Sequence, residues 1–196
     1  MADTKIIYLI WSPEGQEKAV TRDTLLQKCA PAMIKTGAKN CVIYIADPEA
    51  AMKSPAPALY PGKPIAAMVW LWAASLTNRG KWEKALTDEG FSFAAYIAEE
   101  SIYTEYGGNR HASPRDWPDG RRSPGITAVT CMERPGRLSR EEWIRRWHGT
   151  MSPVSEEIQP RTRYVRNLLL EALTPGAPPF EGIVAENWPS KRHVTN

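Results

Sequence analysis

Few cysteines, no long hydrophobic run and no large excess of charge characterise this 196-residue sequence. Its three cysteines, Cys29, Cys41 and Cys131, form no close pair, which argues against a disulfide framework and favours a reducing, cytoplasmic location. The longest apolar run, residues 65–76, has 12 residues, whereas a membrane-spanning helix needs about 20. The first residues show no basic segment and no cleavage site, so we expect neither a secretory signal nor a membrane span.

The sequence also lacks the motifs of the common cofactor sites. Its formal net charge of +3 is too small to indicate nucleic acid or an anionic membrane surface as a partner. The histidines and cysteines have no metal-ligand spacing, and no glycine-rich phosphate loop or Gly-x-Ser-x-Gly elbow occurs. We therefore predict neither a metal ion nor an organic cofactor.

Arginine is concentrated in one part of the chain. Residues 110–166 contain 12 arginines against 7 acidic residues, and no lysine occurs between residues 85 and 190. Such a segment is either a solvated surface with local ion pairs or a site for an anionic ligand or an acidic partner.

Proline and glycine divide the chain into two parts. Five prolines in residues 48–64 predict a loop, because proline at that spacing prevents a helix. A second stretch rich in glycine, proline and charge, residues 107–124, predicts a linker. We therefore expect one domain over residues 1–107, a linker over 108–123 and a second domain over 124–196.

The two parts share an order of sequence signals. Each begins with an apolar strand, at residues 5–11 and 126–132, followed by a polar loop and a helix. We predict that Thr21 and Ser139 are the N-caps of these helices, because a hydroxyl there accepts from free N–H groups of the first turn. Apolar residues before each cap and four residues after it have the spacing of a hydrophobic staple.

Further strands follow the first helix of each part, and the first part also has a second helix. The first part continues with predicted strands at 41–46 and 65–73, a helix at 79–86 and a strand at 91–103. The second part continues with strands at 163–170 and 181–188 and then has eight residues left. The order βαββαβ is that of a ferredoxin-like unit. We therefore expect an α+β fold of two tandem ferredoxin-like units with facing sheets, the second unit truncated.

Residues 133–190 carry a pattern that resembles the EthD family. An Arg-Pro-Gly turn follows a strand, Leu-Ser-x-Glu-Glu-Trp begins a helix, and Tyr-Val-x-Asn and Gly-Ile appear later. The residues that fit are Arg134, Pro135, Gly136, Leu138, Ser139, Glu142, Trp143, Trp147, Pro153, Tyr164, Val165, Asn167, Gly182, Ile183 and Glu186. Met151 stands where the family has a histidine four residues after the tryptophan, and the nearest histidine is His148.

The resemblance implies a dimeric α+β barrel fold, here as a pseudo-dimer of two units in one chain. EthD-like proteins accompany a cytochrome P450 system in oxidative ether breakdown. Related barrels include monooxygenases, isomerases and polyketide cyclases that need no cofactor. A partner in an oxidation system is therefore implied, but a fold does not determine a function.

Three residues are candidates for catalysis. His148 has a side chain that titrates near neutral pH and moves protons, although it also suits a helix C-cap. Tyr164 is a hydrogen-bond donor to a substrate carbonyl if it faces inward; otherwise it is a buried ring with a solvated hydroxyl. Glu186 lies in an apolar strand and serves as acid or base if it is buried, or else pairs with an arginine or faces solvent.

A ligand pocket is predicted from five surrounding residues, which are Trp143, Trp147, Met151, Asn167 and Trp188. The alternative for the tryptophans is that they form ordinary core. Three functions remain open. The chain is a cofactor-independent enzyme acting on a small apolar or aromatic carbonyl compound, a non-catalytic carrier or accessory of an oxidation system, or a structural pseudo-dimer whose arginine-rich half binds a partner protein.

An incomplete second unit would expose a strand edge and part of an apolar face. Such surfaces pair with other chains, so we predict either that the chain is a truncated version of a longer EthD-like protein or that it forms a homo-oligomer that covers the gap. Light scattering on the pure protein is expected to show dimers or larger species, and a well-behaved monomer would contradict this prediction.

Overall fold

The computed structural model describes residues 3–52 and 64–195 and has an α+β fold, which confirms the predicted class. Of the predicted loop at 48–64, the start forms a 3₁₀ turn, Pro48–Ala50, and residues 53–63 lie outside the described residues. Within the described ranges, no helix combines the length and the apolar character needed to cross a membrane. The chain divides into two compact units, which the following paragraphs describe separately.

The first unit comprises the chain up to Ala98 together with Leu170–Pro178. Its strands lie in the order β2-β3-β1-β4, and each neighbouring pair is antiparallel. The elements are β1 Thr4–Trp11, α1 Lys18–Thr24, a π-helical turn Leu25–Cys29, α2 Ala30–Lys35, β2 Asn40–Ile45, β3 Ala67–Ala73, α3 Arg79–Thr87 and the beginning of β4, Ser92–Thr104.

The core of the first unit lies between its strands and helices. Alternate residues of β1 face this core, because successive side chains of a strand point to opposite faces. They meet helix residues such as Leu25, Met33 and Trp82, all of which are fully buried. The segment after β6 belongs to this unit through hydrogen bonds such as that from the Leu173 amide to the Ala95 carbonyl, at 2.7 Å.

The second unit comprises Glu99–Leu169 and the chain from Pro179 onward. Its strand order is the end of β4, then β6, β7 and β5, and both β5 and β6 are antiparallel to β7. Its other elements are β5 Ile126–Met132, α4 Arg140–Arg146, a π-helical turn Trp147–Met151, α5 Ser152–Ile158, β6 Arg163–Ala172, β7 Gly182–Trp188 and α6 Lys191–Thr195. The short helix α6 was not predicted from the sequence.

Each unit has a π-helical turn directly before a proline. Pro31 and Pro153 are the second residues of α2 and α5, and the residue before each donates its N–H five residues back, to Leu25 and to Trp147. Proline has no N–H for the i−4 carbonyl, so a wider turn keeps the helix continuous past it. The helix that begins after Ser139 therefore continues past His148 to Ile158, and the alternative in which His148 is a helix C-cap is wrong.

The two predicted N-caps have different outcomes. Ser139 is the N-cap of α4, and its hydroxyl accepts from the Glu142 amide at 3.1 Å. Thr21 is not a cap, because α1 begins earlier, at Lys18, and Thr21 is a buried residue inside it. Its hydroxyl is hydrogen-bonded to Ser12 at 2.8 Å instead. The prediction of an N-cap at Thr21 was wrong because this side chain makes a tertiary contact.

Two indole rings pack directly on the backbone of β7. A Cβ built on Gly182 would lie 3.0 Å from the ring edges of both Trp143 and Trp147, and 2.9 Å from the methyl of Met132. The two rings lie 5.0 Å apart between centroids. Only a residue without a side chain allows α4 to approach the strand this closely.

This contact predicts the effect of the smallest possible enlargement. Gly182→Ala is expected to lower the free energy of unfolding by about 1–3 kcal/mol, because the rigid indoles must shift to admit a methyl group. Urea denaturation measures the change. The control is Gly136→Ala, where a Cβ would meet nothing within 4 Å, and equal losses in both variants would contradict the packing.

Candidate functional site

A buried hydrogen-bond network connects the helix and β6 in the second unit. The indole N–H of Trp147 donates to the Tyr164 hydroxyl at 3.2 Å, which lies 3.3 Å from Ser152 Oγ. Ser152 donates its only proton to the Trp147 carbonyl at 2.9 Å. Tyr164 must therefore donate to Ser152, so its proton is used inside the protein and Tyr164 is a positioning residue here.

Arg166 lies beside this network and is only 8% exposed. One Nη donates to Ser152 at 3.1 Å and the other to Ser101 at 2.7 Å, while the guanidinium lies 4.8 Å from the centre of the Tyr103 ring. Its Nε is buried and has no hydrogen-bond partner among residues 3–52 and 64–195. All of these contacts are to neutral groups, and burial lowers the pKa of Arg166.

Arg161 has the opposite environment although it is completely buried. It forms ion pairs with Glu156, at 3.0 Å, and with Glu186, and its guanidinium lies 4.0 Å from the centre of the Tyr164 ring. A buried charge with two carboxylates is compensated. Among the residues that the structure describes in this unit, Arg161 therefore has two carboxylate partners and Arg166 has none.

His148 lies in the π-helical turn next to Trp147, with 4.6 Å between the ring centroids. Its Nε2 is buried and has no hydrogen-bond partner in the described part of the chain. Burial, and then the positive charge of Arg166, lower the pKa of His148, while Glu99 opposes this effect. The imidazole is therefore neutral at pH 7 and is a proton acceptor.

The predicted base Glu186 is engaged in the ion pair with Arg161. It lies opposite Tyr164 in the register of β6 and β7, and its carboxylate pairs with Arg161. Of the two roles predicted for Glu186 from the sequence, the structure therefore shows the ion pair with an arginine.

The predicted pocket residues do not all meet at this cluster. Trp143 and Trp147 pack together over Gly182. Met151 is 63% exposed and lies on the surface. Asn167 and Trp188 are buried in the second unit. Asn167 lies on the strand face opposite to Tyr164 and donates to the Ile183 carbonyl at 3.0 Å.

Ser152, Arg161 and Arg166 contact the network but were not predicted as site residues from the sequence. A signal was present for Arg166, because it is two residues from Tyr164 in a strand and so shares its face. Ser152 and Arg161 had no such signal, since each belongs to the cluster only through the continuation of the helix beyond Met151 and the turn into β6.

The cysteines are poor nucleophiles in this environment. Burial raises the pKa of Cys29 and Cys41 to about 11 and that of Cys131 to about 12, so the thiols are protonated at neutral pH. Over residues 3–52 and 64–195, no three His, Cys, Asp or Glu side chains form a group that could hold a metal ion.

Compared with known proteins, the chain matches no family model, and no curated protein matches it at a significant level.

The environment of His148 predicts a measurable titration. NMR of the ring is expected to give a pKa below the ordinary value of about 6.5, and Arg166→Gln is expected to raise it by removing a nearby positive charge. Because folding lowers this pKa, the unfolded chain binds more protons, and stability due to His148 falls as the pH drops through the range below 6.5. Arg145→Gln, an exposed change of equal charge, is the control, and equal shifts in both variants would refute the link.

Proposed function

We propose that the chain consists of two tandem ferredoxin-like units of the EthD type. The order of elements supports this: β1, helix, β2, β3, helix and β4 in the first unit give the strand order β2-β3-β1-β4. The second unit has β5, a helix, β6 and β7 along the chain, and its strand order β6-β7-β5 corresponds to the order β2-β3-β1 of the first unit. Both helices contain a π-helical turn before a proline, which further supports a repeat.

We infer that the second unit binds a small apolar or aromatic carbonyl compound and moves a proton on it without a cofactor. The observation that carries this is His148, a neutral imidazole whose Nε2 is buried without a hydrogen-bond partner. Buried polar atoms are nearly always satisfied, so an unsatisfied one calls for an explanation, and a catalytic role is one. The aromatic rings of Trp147 and Tyr103 lie together in the hydrophobic cluster of the second unit that contains Tyr164.

The chemistry follows from the charges present. The carbon–hydrogen bond next to the carbonyl breaks, its proton moves to Nε2 of His148, and the electron pair passes to the carbonyl oxygen as an enolate. The positive charge of Arg166 favours this anion in a buried environment. Return of a proton to the same carbon regenerates the ketone and completes an exchange, which requires neither an oxidant nor a reductant.

A non-catalytic role, as a carrier or accessory of an oxidation system, is the second candidate. It is favoured by the ion pair between Glu186 and Arg161, because this pair engages the carboxylate that the sequence predicted as acid or base. Binding without proton transfer is the result that this function predicts.

The two functions are separated by 1-phenyl-2-propanone, a neutral aromatic ketone. In D₂O at pH 7 without added cofactor, we expect the protein to accelerate deuterium exchange at its benzylic carbon, as followed by NMR. His148→Gln is expected to reduce the acceleration about 100-fold, the usual contribution of a general base.

The matched control is His193→Gln, since His193 is an exposed residue of α6 that is hydrogen-bonded to Ser190. Shifts of the His148 signals without exchange would favour the non-catalytic function. Exchange at the buffer rate together with unshifted His148 signals would refute both.

A further inference from the structure

Arg166 and Arg161 differ in only one respect that matters for their charge. Both are at least nine-tenths buried, but Arg161 has two carboxylate partners, whereas Arg166 forms no ion pair within the described ranges. The hydrogen bonds of Arg166 go to two serine hydroxyls and, at 3.5 Å, to the His148 carbonyl. Neutral acceptors satisfy N–H groups but leave the positive charge uncompensated.

An uncompensated charge in a protein interior is unfavourable by several kcal/mol, and buried ions are normally paired. Among the described residues, the hydrogen bonds of Arg166 go to two serine hydroxyls and a backbone carbonyl, its ring contact is with Tyr103, and none of these partners is a carboxylate. An anion from outside the protein would remove this penalty. Among the described residues, the Nε of Arg166, like that of Arg161, is buried without a hydrogen-bond partner, and it is an N–H that can donate to such an anion.

We propose that Arg166 binds the carboxylate of a small aromatic acid in the second unit. This inference rests on the proposed function, because it assigns the anionic end of the same ligand, with the carbonyl of the ligand next to His148. The ring of the ligand belongs beside the aromatic side chains of the cluster, Tyr103, Trp147 and Tyr164.

The charge of the cluster selects a monoanion. Among the described residues, two arginines contact the network of Ser152 and Tyr164. The charge of Arg161 is matched by two carboxylates, and that of Arg166 by none. His148 is neutral at pH 7. A phosphate dianion would bring a second negative charge with no partner, so a carboxylate is the better match.

The test compares phenylpyruvate with 1-phenyl-2-propanone, which carries a methyl group in place of the carboxylate. We expect calorimetry to show at least tenfold tighter binding of phenylpyruvate at pH 7. Arg166→Gln should abolish the difference, and Arg145→Gln, which removes an exposed charge of α4, should preserve it. Equal affinities of the unaltered protein for the two compounds would overturn the inference.

A second measurement needs no variant at Arg166, whose replacement by glutamine could disturb folding. Saturation with phenylpyruvate should raise the NMR pKa of His148, because it places a negative charge beside the ring, whereas the neutral ketone should not. An unchanged pKa in saturating phenylpyruvate would overturn the inference. If the ketone is still exchanged at His148 in that case, the proposed function stands; if neither compound binds, both fail.

Discussion

The contact between two indole rings and the bare backbone of Gly182 positions the cluster in the second unit. Because Trp147 lies against the strand at this point, its N–H reaches the Tyr164 hydroxyl, and the π-helical turn that follows brings Ser152 to the same hydroxyl. Ser152 in turn holds one nitrogen of Arg166. The orientation of the buried polar groups thus depends on a packing contact that has no polar atom in it.

The charges of this unit are distributed unequally within a short distance along the chain. Arg161 is enclosed with two glutamates, which is the arrangement expected of a structural ion pair. Arg166 is enclosed with hydroxyls and a phenol ring, and it helps to keep His148 neutral. Among the described residues, this unit therefore holds one buried arginine with two carboxylate partners and a second one that contacts only neutral groups.

Much of the local structure follows from patterns within a few residues. The strand at Ile126–Met132 matches its predicted range because alternation and flanking turns lie next to it in sequence, and the cap at Ser139 follows from its hydroxyl and the first turn. Thr21 shows the limit of such patterns, since its hydroxyl serves a partner nine residues away. The helix beyond His148 was missed for a related reason: a proline reads as a stop unless a π-helical turn precedes it.

The sequence by itself determined the α+β class, most strand ranges and the aromatic face of α4, because hydrophobic periodicity and capping act over one or two turns. Only the tertiary structure decided which polar residues meet. Glu186 became a partner of Arg161, Met151 lies at the surface, and Arg166 joined His148 and Ser152. Pairing of side chains distant in sequence depends on strand register and helix approach, and these are set by packing across the whole unit rather than by any local pattern.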